Sequence, residues 1–317
     1  MATKIKKILF NTLKMIRDWV IEMGLNKIPG MSVVYDFLFQ YLWSGSDIIE
    51  IQGSKMYINV KDQDESMRKT FQSYALNLTH EERTTELFKE MVKEGDTVVD
   101  IGANIGYFTL LSAKLVGKKG RVFAFEPEPK NYNYLLKNIE LNNIGNTVLA
   151  TQKAVSDKTG KTKLYICEHD TGHHTINQPE GIKSYKPNTG NKESFIEIDA
   201  VTLDDFLKDK NRLVDIVKID AEGAEMLVLL GMDKTIRQNH NIKLFVEFFP
   251  LLIKKMGNSP EDFIKKLLED YGFSIFIIGE DYDACNQKLL MVNSVNELMG
   301  FCKNKNDHLN LFIERQK

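Results

Sequence analysis

The segment Val98-Val99-Asp100-Ile101-Gly102-Ala103-Asn104-Ile105-Gly106-Tyr107-Phe108-Thr109 limits the possible folds of this chain more than any other. A β-branched apolar run passes into two glycines and then into residues with helical spacing, so a buried strand must end in a tight loop that opens a helix. In an open α/β sheet that junction is where a nucleotide-like ligand meets the backbone, and glycine permits the close approach. Twenty residues past Gly106, a second apolar run from Arg121 to Phe125 ends at Glu126-Pro127. A carboxylate there can accept hydrogen bonds from both hydroxyls of a ribose.

Two cofactor classes use this geometry. A dinucleotide calls for G-x-G-x-x-G, with a helix N-terminus facing pyrophosphate. Here the order is Asp100-x-Gly102-x-Asn104-x-Gly106, with an acid at the strand end and no third glycine at the dinucleotide position. An acid repels pyrophosphate and suits the sulfonium and ammonium of S-adenosyl-L-methionine. An NAD-dependent oxidoreductase and a non-catalytic binding module are the competing readings. A tight turn without a ligand is disfavoured by Glu126.

Downstream, short apolar runs alternate with helix-length segments: Thr97 to Ile101, Arg121 to Glu126, Thr147 to Val155, Val214 to Asp220, Ile242 to Phe248, Phe273 to Ile278 and Lys288 to Val292. This alternation predicts a mostly parallel sheet with helices on both faces. Between residues 158 and 200 the rhythm breaks into a hairpin and a long polar loop, an insertion of the kind that sits beside a substrate. Residues 1–95 read as a mostly helical lead-in with a β-hairpin, and residues 96–317 as the ligand-binding domain. Thr79-His80-Glu81-Glu82 fits a capping box at the start of a helix reaching Lys93.

With 42 basic against 44 acidic side chains, the chain lacks the basic excess of a general nucleic-acid binder. Cys167, Cys285 and Cys302 are odd in number and widely spaced, which predicts a reducing compartment and no disulfide framework. No apolar run is long enough to span a bilayer. From Ile5 to Met23 apolar residues recur at helical spacing opposite Lys4, Lys6, Lys7, Lys14 and Arg17. Such a stripe packs on protein, on a second copy in a homo-oligomer, or on an anionic membrane. The expected location is cytoplasmic, with peripheral contact at the inner membrane face through residues 4–23.

The blocks Asp100 to Gly106, Phe125-Glu126-Pro127, Ala154-Val155-Ser156-Asp157, Val201 to Asp205 and Val217 to Glu225 together resemble the FkbM family of S-adenosylmethionine-dependent methyltransferases. The resemblance covers about residues 96 to 250. It implies a class I methyltransferase (Rossmann-like) α/β fold with a seven-stranded sheet, and O-methylation of a sugar, glycan or polyketide-type acceptor. By the same resemblance Asp100, Gly102, Asn104 and Gly106 line the methionine end of the cofactor, and Ala103, Phe108 and Thr109 belong to the cofactor-binding set. Glu126 and Pro127 frame the ribose, Ala154 and Val155 flank adenine, and Asp220 stands near the methyl group.

Deprotonating a hydroxyl calls for a carboxylate or histidine at the strand ends. Asp220 and Glu247 occupy such ends, and strands ~4.8 Å apart can bring them together. Lys218, two residues before Asp220, projects to the same face. Asp220 could instead cap the helix that follows. His173, with His174 beside it in the inserted loop, is a third candidate base. No metal is expected, because the acids do not reproduce a catechol-type magnesium set.

Overall fold

The computed structural model describes residues 12, 31–43, 45–166, 174–176, 195–210, 212–279, 289–302 and 307–315. Two compact units divide between Thr79 and His80. The division falls upstream of the expected boundary at residue 95, because the helix Glu82–Met91 belongs to the second unit. The stripe at residues 4–23 lies, apart from Thr12, outside the described residues.

In the first unit α1 (Met31–Leu42) precedes a hairpin of β1 (Ile48–Ile51) and β2 (Ser54–Tyr57), followed by α2 (Glu65–Ala75). Asp64 starts α2 by accepting a hydrogen bond from the Met67 amide. Phe39, Met56, Ile58 and Phe71 are fully buried, and Arg68 on α2 pairs with Asp36 on α1 at 3.2 Å.

In the second unit, α3 (Glu82–Met91) leads into β3 (Thr97–Ile101), α4 (Tyr107–Val116), β4 (Arg121–Phe125), α5 (Pro129–Leu141) and β5 (Val148–Thr151). A three-stranded sheet follows, formed by β6 (Ala154–Val155), β7 (Gly160–Tyr165) and β8 (Phe195–Val201) in the order β6-β8-β7. The apolar run 147–155 therefore divides between two sheets. After α6 (Leu203–Leu207) come β9 (Ile216–Ile219), α7 (Glu225–Leu230), β10 (Lys243–Phe248), β11 (Phe273–Ile278), β12 (Leu289–Val292) and β13 (Leu309–Arg315).

The main sheet runs β12-β11-β13-β10-β9-β3-β4-β5. Its parallel half, β5-β4-β3-β9-β10, places every carboxyl end on one edge, with β13 antiparallel to both β10 and β11. This is the expected class I methyltransferase architecture, with eight strands where seven were expected. The strand absent from the expected runs, β13, pairs through seven residues whose partners lie far back in the chain. Every residue of β3 is buried, as a strand covered on both faces requires. Among the described residues no helix is long and apolar enough to cross a membrane.

Candidate active site

Strand register builds the site. Asp100 on β3 stands opposite Lys218 on β9, which stands opposite Phe245 on β10, which stands opposite Phe312 on β13. Two residues further along the same face, at the carboxyl edge, come Asp220 and Glu247, and Asn310 on β13 is the register partner of Glu247. The sheet edge thus sets two acids side by side beyond a buried lysine.

The loop after β3 closes on this edge. Gly102 has φ +80°, and a Cβ there would lie 1.9 Å from the Asp220 carbonyl oxygen, so no other residue fits without moving β9. The amides of Gly102 and Ala103 both donate to the Phe125 carbonyl, which fixes the loop against β4. Glu126 then takes the Asn104 amide on Oε2 at 2.8 Å and the Glu128 amide on Oε1 at 2.9 Å. It is buried, and burial pushes its carboxyl up to about 8 even though these amides pull the other way.

A cleft open to solvent, enclosing about 600 Å³ of space between atoms and solvent together, lies here. Gly102, Asn104, Glu126, Pro127, Ala154, Val155 and Asp220 line it, all expected from the sequence. Leu164, His174 and Ile176 bring the inserted segment to the same cavity, and Lys153 and Glu222 join them unforeseen. His173 lies outside the described residues.

Asp100, Ala103, Gly106, Phe108 and Thr109 stand behind the loop instead of on the cavity wall. Asp100 is buried and accepts the Thr109 hydroxyl at 2.5 Å. Burial raises it to about 6, against the pull of Thr109 and Lys218. Within the protein its cationic neighbour is Lys218, its register partner.

Lys218 sits at the centre of the charges. Its side chain is 4% exposed, with Nζ 3.0 Å from Asp220 Oδ2 and 4.7 Å from the centre of the Phe108 ring. Burial lowers its pKa, but Asp220, Glu81, Glu247 and Asp100 together hold it above its ordinary range. Four carboxyls share this one ammonium, and their shifts diverge. Burial raises Asp220, yet Lys218 and hydrogen bonds from Glu247 and Lys218 bring it below the ordinary value. Glu247 goes the other way, well above its ordinary value, through burial and the negative charges of Asp220 and Glu222. The two shifts run in opposite directions, so of the pair Glu247 is the readier to hold a proton and Asp220 the readier to stay ionised.

Glu81 completes the arrangement and was missed. The capping-box reading fails: α3 begins at Glu82, and Glu81 precedes it in left-handed backbone (φ 42°) without capping it. Its carboxylate points inward, accepting Asn310 Nδ2 at 3.2 Å and lying 3.2 Å from His80 Nε2. Burial raises it, but Lys218 and His80 together leave it below its ordinary value. A left-handed non-glycine residue is strained, and the inward hydrogen bonds compensate.

Asp220 does not cap the next helix. The N-cap is Ala224, with no side-chain bond, and Glu225 braces the turn before it, its Oε1 accepting the Ala221 amide at 3.3 Å and the Gly223 amide at 3.0 Å. This leaves Asp220 facing the cavity. Asp220, Glu222 and Glu247 each offer an oxygen within 4.8 Å of the others, a spacing that a cation could bridge.

S-adenosyl-L-methionine fits these residues. Glu126, buried with a raised pKa, offers acceptors at the position for ribose hydroxyls, and Ala154, Val155 and Ile176 give an apolar wall for a purine. Glu126→Ala is expected to weaken S-adenosylhomocysteine binding by about 1 to 3 kcal/mol without unfolding the protein. Calorimetry that finds unchanged affinity with an unchanged melting curve removes Glu126 from the site.

The model for the family described as Methyltransferase FkbM domain matches residues 100–275, more than half of the chain. Methyltransferase 1 of Beauveria bassiana is 28% identical over 207 residues, covering 62% of this chain and 79% of that protein. Hexuronic acid methyltransferase AglP of Haloferax volcanii is 25% identical over 194 residues, covering 61% and 70%. The 31-O-demethyl-FK506 methyltransferase FkbM of Streptomyces tacrolimicus is 28% identical over 165 residues, covering 45% and 61%.

Proposed function

The chain belongs to the FkbM family of S-adenosyl-L-methionine-dependent methyltransferases, and from that premise we propose that it methylates a hydroxyl oxygen of a sugar, glycan or polyketide-type acceptor. The observation that carries this reading is Asp220: an ionised carboxylate at a strand end, opening into the cavity that Glu126 also lines. The names of two relatives support the acceptor class, one naming a hexuronic acid and one 31-O-demethyl-FK506.

When bound, the cofactor supplies an electrophilic methyl group, so the protein has to align an oxygen and manage its proton. Asp220 is the acceptor for that proton. Lys218 keeps it ionised, which weakens it as a base in the ground state but leaves it aligned to take the proton as the hydroxyl becomes acidic in the transition state. Glu247, its carboxyl held well above its ordinary value beside Asp220, is the neighbour readier to hold a proton. His174, Leu164 and Ile176 present the inserted segment at the cavity, where contacts to the acceptor would distinguish one substrate from another.

The test is direct incubation with methyl-labelled S-adenosyl-L-methionine and a panel of hexuronic acids, glycosides and macrolide alcohols. A methyl ether identified by NMR supports the reading. A carbon-bound or nitrogen-bound methyl in the product overturns it while leaving the family intact.

Glu126 gives a second, independent check. Its pKa of about 8 means that the protonated form predominates at pH 7 in the unliganded protein. Ribose hydroxyls donate to the ionised form, so cofactor loading should release a proton, and affinity should rise with pH until about 8 and then level. Calorimetry of S-adenosylhomocysteine binding at pH 7, in buffers of different ionisation enthalpy, measures that proton. Zero release means that Glu126 is not the ribose acceptor.

A further inference from the structure

The first unit carries a surface that methyl transfer does not use. On α1, Val34, Phe37, Leu38 and Tyr41 are 55, 67, 36 and 61% exposed. Their spacing of i, i+3, i+4 and i+7 puts them on one stripe along the helix, and the Phe37 and Tyr41 rings stack at 6.4 Å. Phe39 and Leu42 take the core-facing side. The one charged residue of α1, Asp36, pairs with Arg68, so the exposed stripe carries no formal charge. Contiguous exposed apolar side chains of this size mark a contact surface.

The sequence leading into α1 identifies the partner's chemistry. Residues 1–30 contain six basic and two acidic side chains, whereas the remainder of the chain contains 36 basic and 42 acidic. The positive charge is concentrated next to the apolar stripe, in a chain that is otherwise negative. Apolar positions between Ile5 and Met23, Trp19 among them, alternate with those basic residues at helical spacing. A protein partner calls for no such coupling of an uncharged aromatic stripe to a basic segment. A bilayer bearing acidic headgroups does, because one shallow apolar anchor or one polybasic segment alone holds a protein only weakly, and stable attachment takes two signals. Their proximity in the chain makes the second contact intramolecular once the first is made.

We propose that the amino-terminal unit docks on an anionic lipid bilayer, the Val34, Phe37, Leu38 and Tyr41 stripe entering the headgroup boundary while the basic residues before it face the acidic headgroups. This reading is independent of which hydroxyl is methylated.

Flotation of the full chain with vesicles tests it. The wild type should float with phosphatidylcholine vesicles containing about 30% phosphatidylglycerol, remain behind with pure phosphatidylcholine, and detach as salt rises. The double variant Phe37→Ser, Tyr41→Ser alters exposed positions and should keep the wild-type melting curve while losing at least about tenfold in vesicle affinity. Trp43→Phe leaves Trp19 as the remaining tryptophan, whose emission should shift to the blue when anionic vesicles are added. Equal flotation of the double variant, or no flotation of the wild type, overturns the proposal. Absent flotation with a dimer that the double variant splits in light scattering assigns the stripe to a second copy. Absent flotation with a lowered melting temperature in the double variant assigns it to the chain's own preceding segment.

Discussion

Asp220→Asn should slow methyl transfer by about 10²- to 10⁴-fold, the range for losing a general base, while S-adenosylhomocysteine affinity stays within a few-fold. Asparagine keeps the shape and the possibility of a hydrogen bond to Lys218's neighbourhood, and it cannot take up a proton. Glu247→Gln is the informative companion, because burial and Asp220 hold the Glu247 carboxyl well above its ordinary value and glutamine resembles its neutral form. Its loss of rate should be much the smaller of the two. Equal losses would mean that the carboxyls exchange roles. Single-turnover rates with the acceptor found in the panel, measured with and without EDTA, complete the set. A chelator effect on the wild type would assign Asp220, Glu222 and Glu247 to a bridging cation. An unchanged rate in Asp220→Asn would end the base assignment, since Glu225 already secures the following turn.

The second large effect is on stability. Lys218→Met removes the ammonium that faces Asp220, Glu81, Glu247 and Asp100, and should destabilise the protein at pH 8 by about 3 to 5 kcal/mol, the cost of breaking a buried pair from one side. The sign with pH follows from linkage. Lys218 has its folded pKa raised, so its contribution is complete at every pH below the unfolded value of ~10.4 and is lost only above it. In the variant, Asp220 and Glu81 lose their cation, and their folded pKa values rise. Their protonated forms then fit the folded state better, so the deficit should shrink towards pH 5. Urea midpoints for both proteins at the two pH values measure this. A deficit below about 1 kcal/mol at pH 8 would show that the carboxyls already share enough protons to need no cation.

Local pattern carries the loop and its partner strand. Gly102 and Gly106 follow from a strand that must turn into a helix at once, and Glu126 from its place at the end of the next apolar run. The shared face of Lys218 and Asp220 follows from a period of two. What lies across strands was less accessible. Asp100 reads as an acid aimed at a cation in the ligand, because nothing near it in the chain shows that Lys218 occupies the adjacent register position. Glu81 reads as an unremarked interior position of a capping box because Thr79-His80-Glu81-Glu82 satisfies that pattern locally, while its actual partner, Asn310, is 229 residues away. The strand that brings Asn310 has its own signal in Leu309 to Ile313, a run buried throughout. That run could have been recognised, but its position between β10 and β11 could not, since strand order depends on pairings between distant segments.

That position of β13 has a consequence for how the molecule is made. β10 and β11 are not paired with each other; each is joined to β13, through six register pairs apiece. Until residues 309–315 have been synthesised and inserted, both strands expose an open edge, and the sheet is divided through its middle instead of unfinished at its rim. Unpaired apolar edges of this kind recruit other chains, so the nascent protein depends on a late, long-range step and on whatever shields it meanwhile. The same insertion delivers Asn310 to Glu81. Assembly of the charged centre is therefore timed to the closing of the sheet, and a chain halted before residue 309 would have the cofactor loop but not the completed proton-handling network.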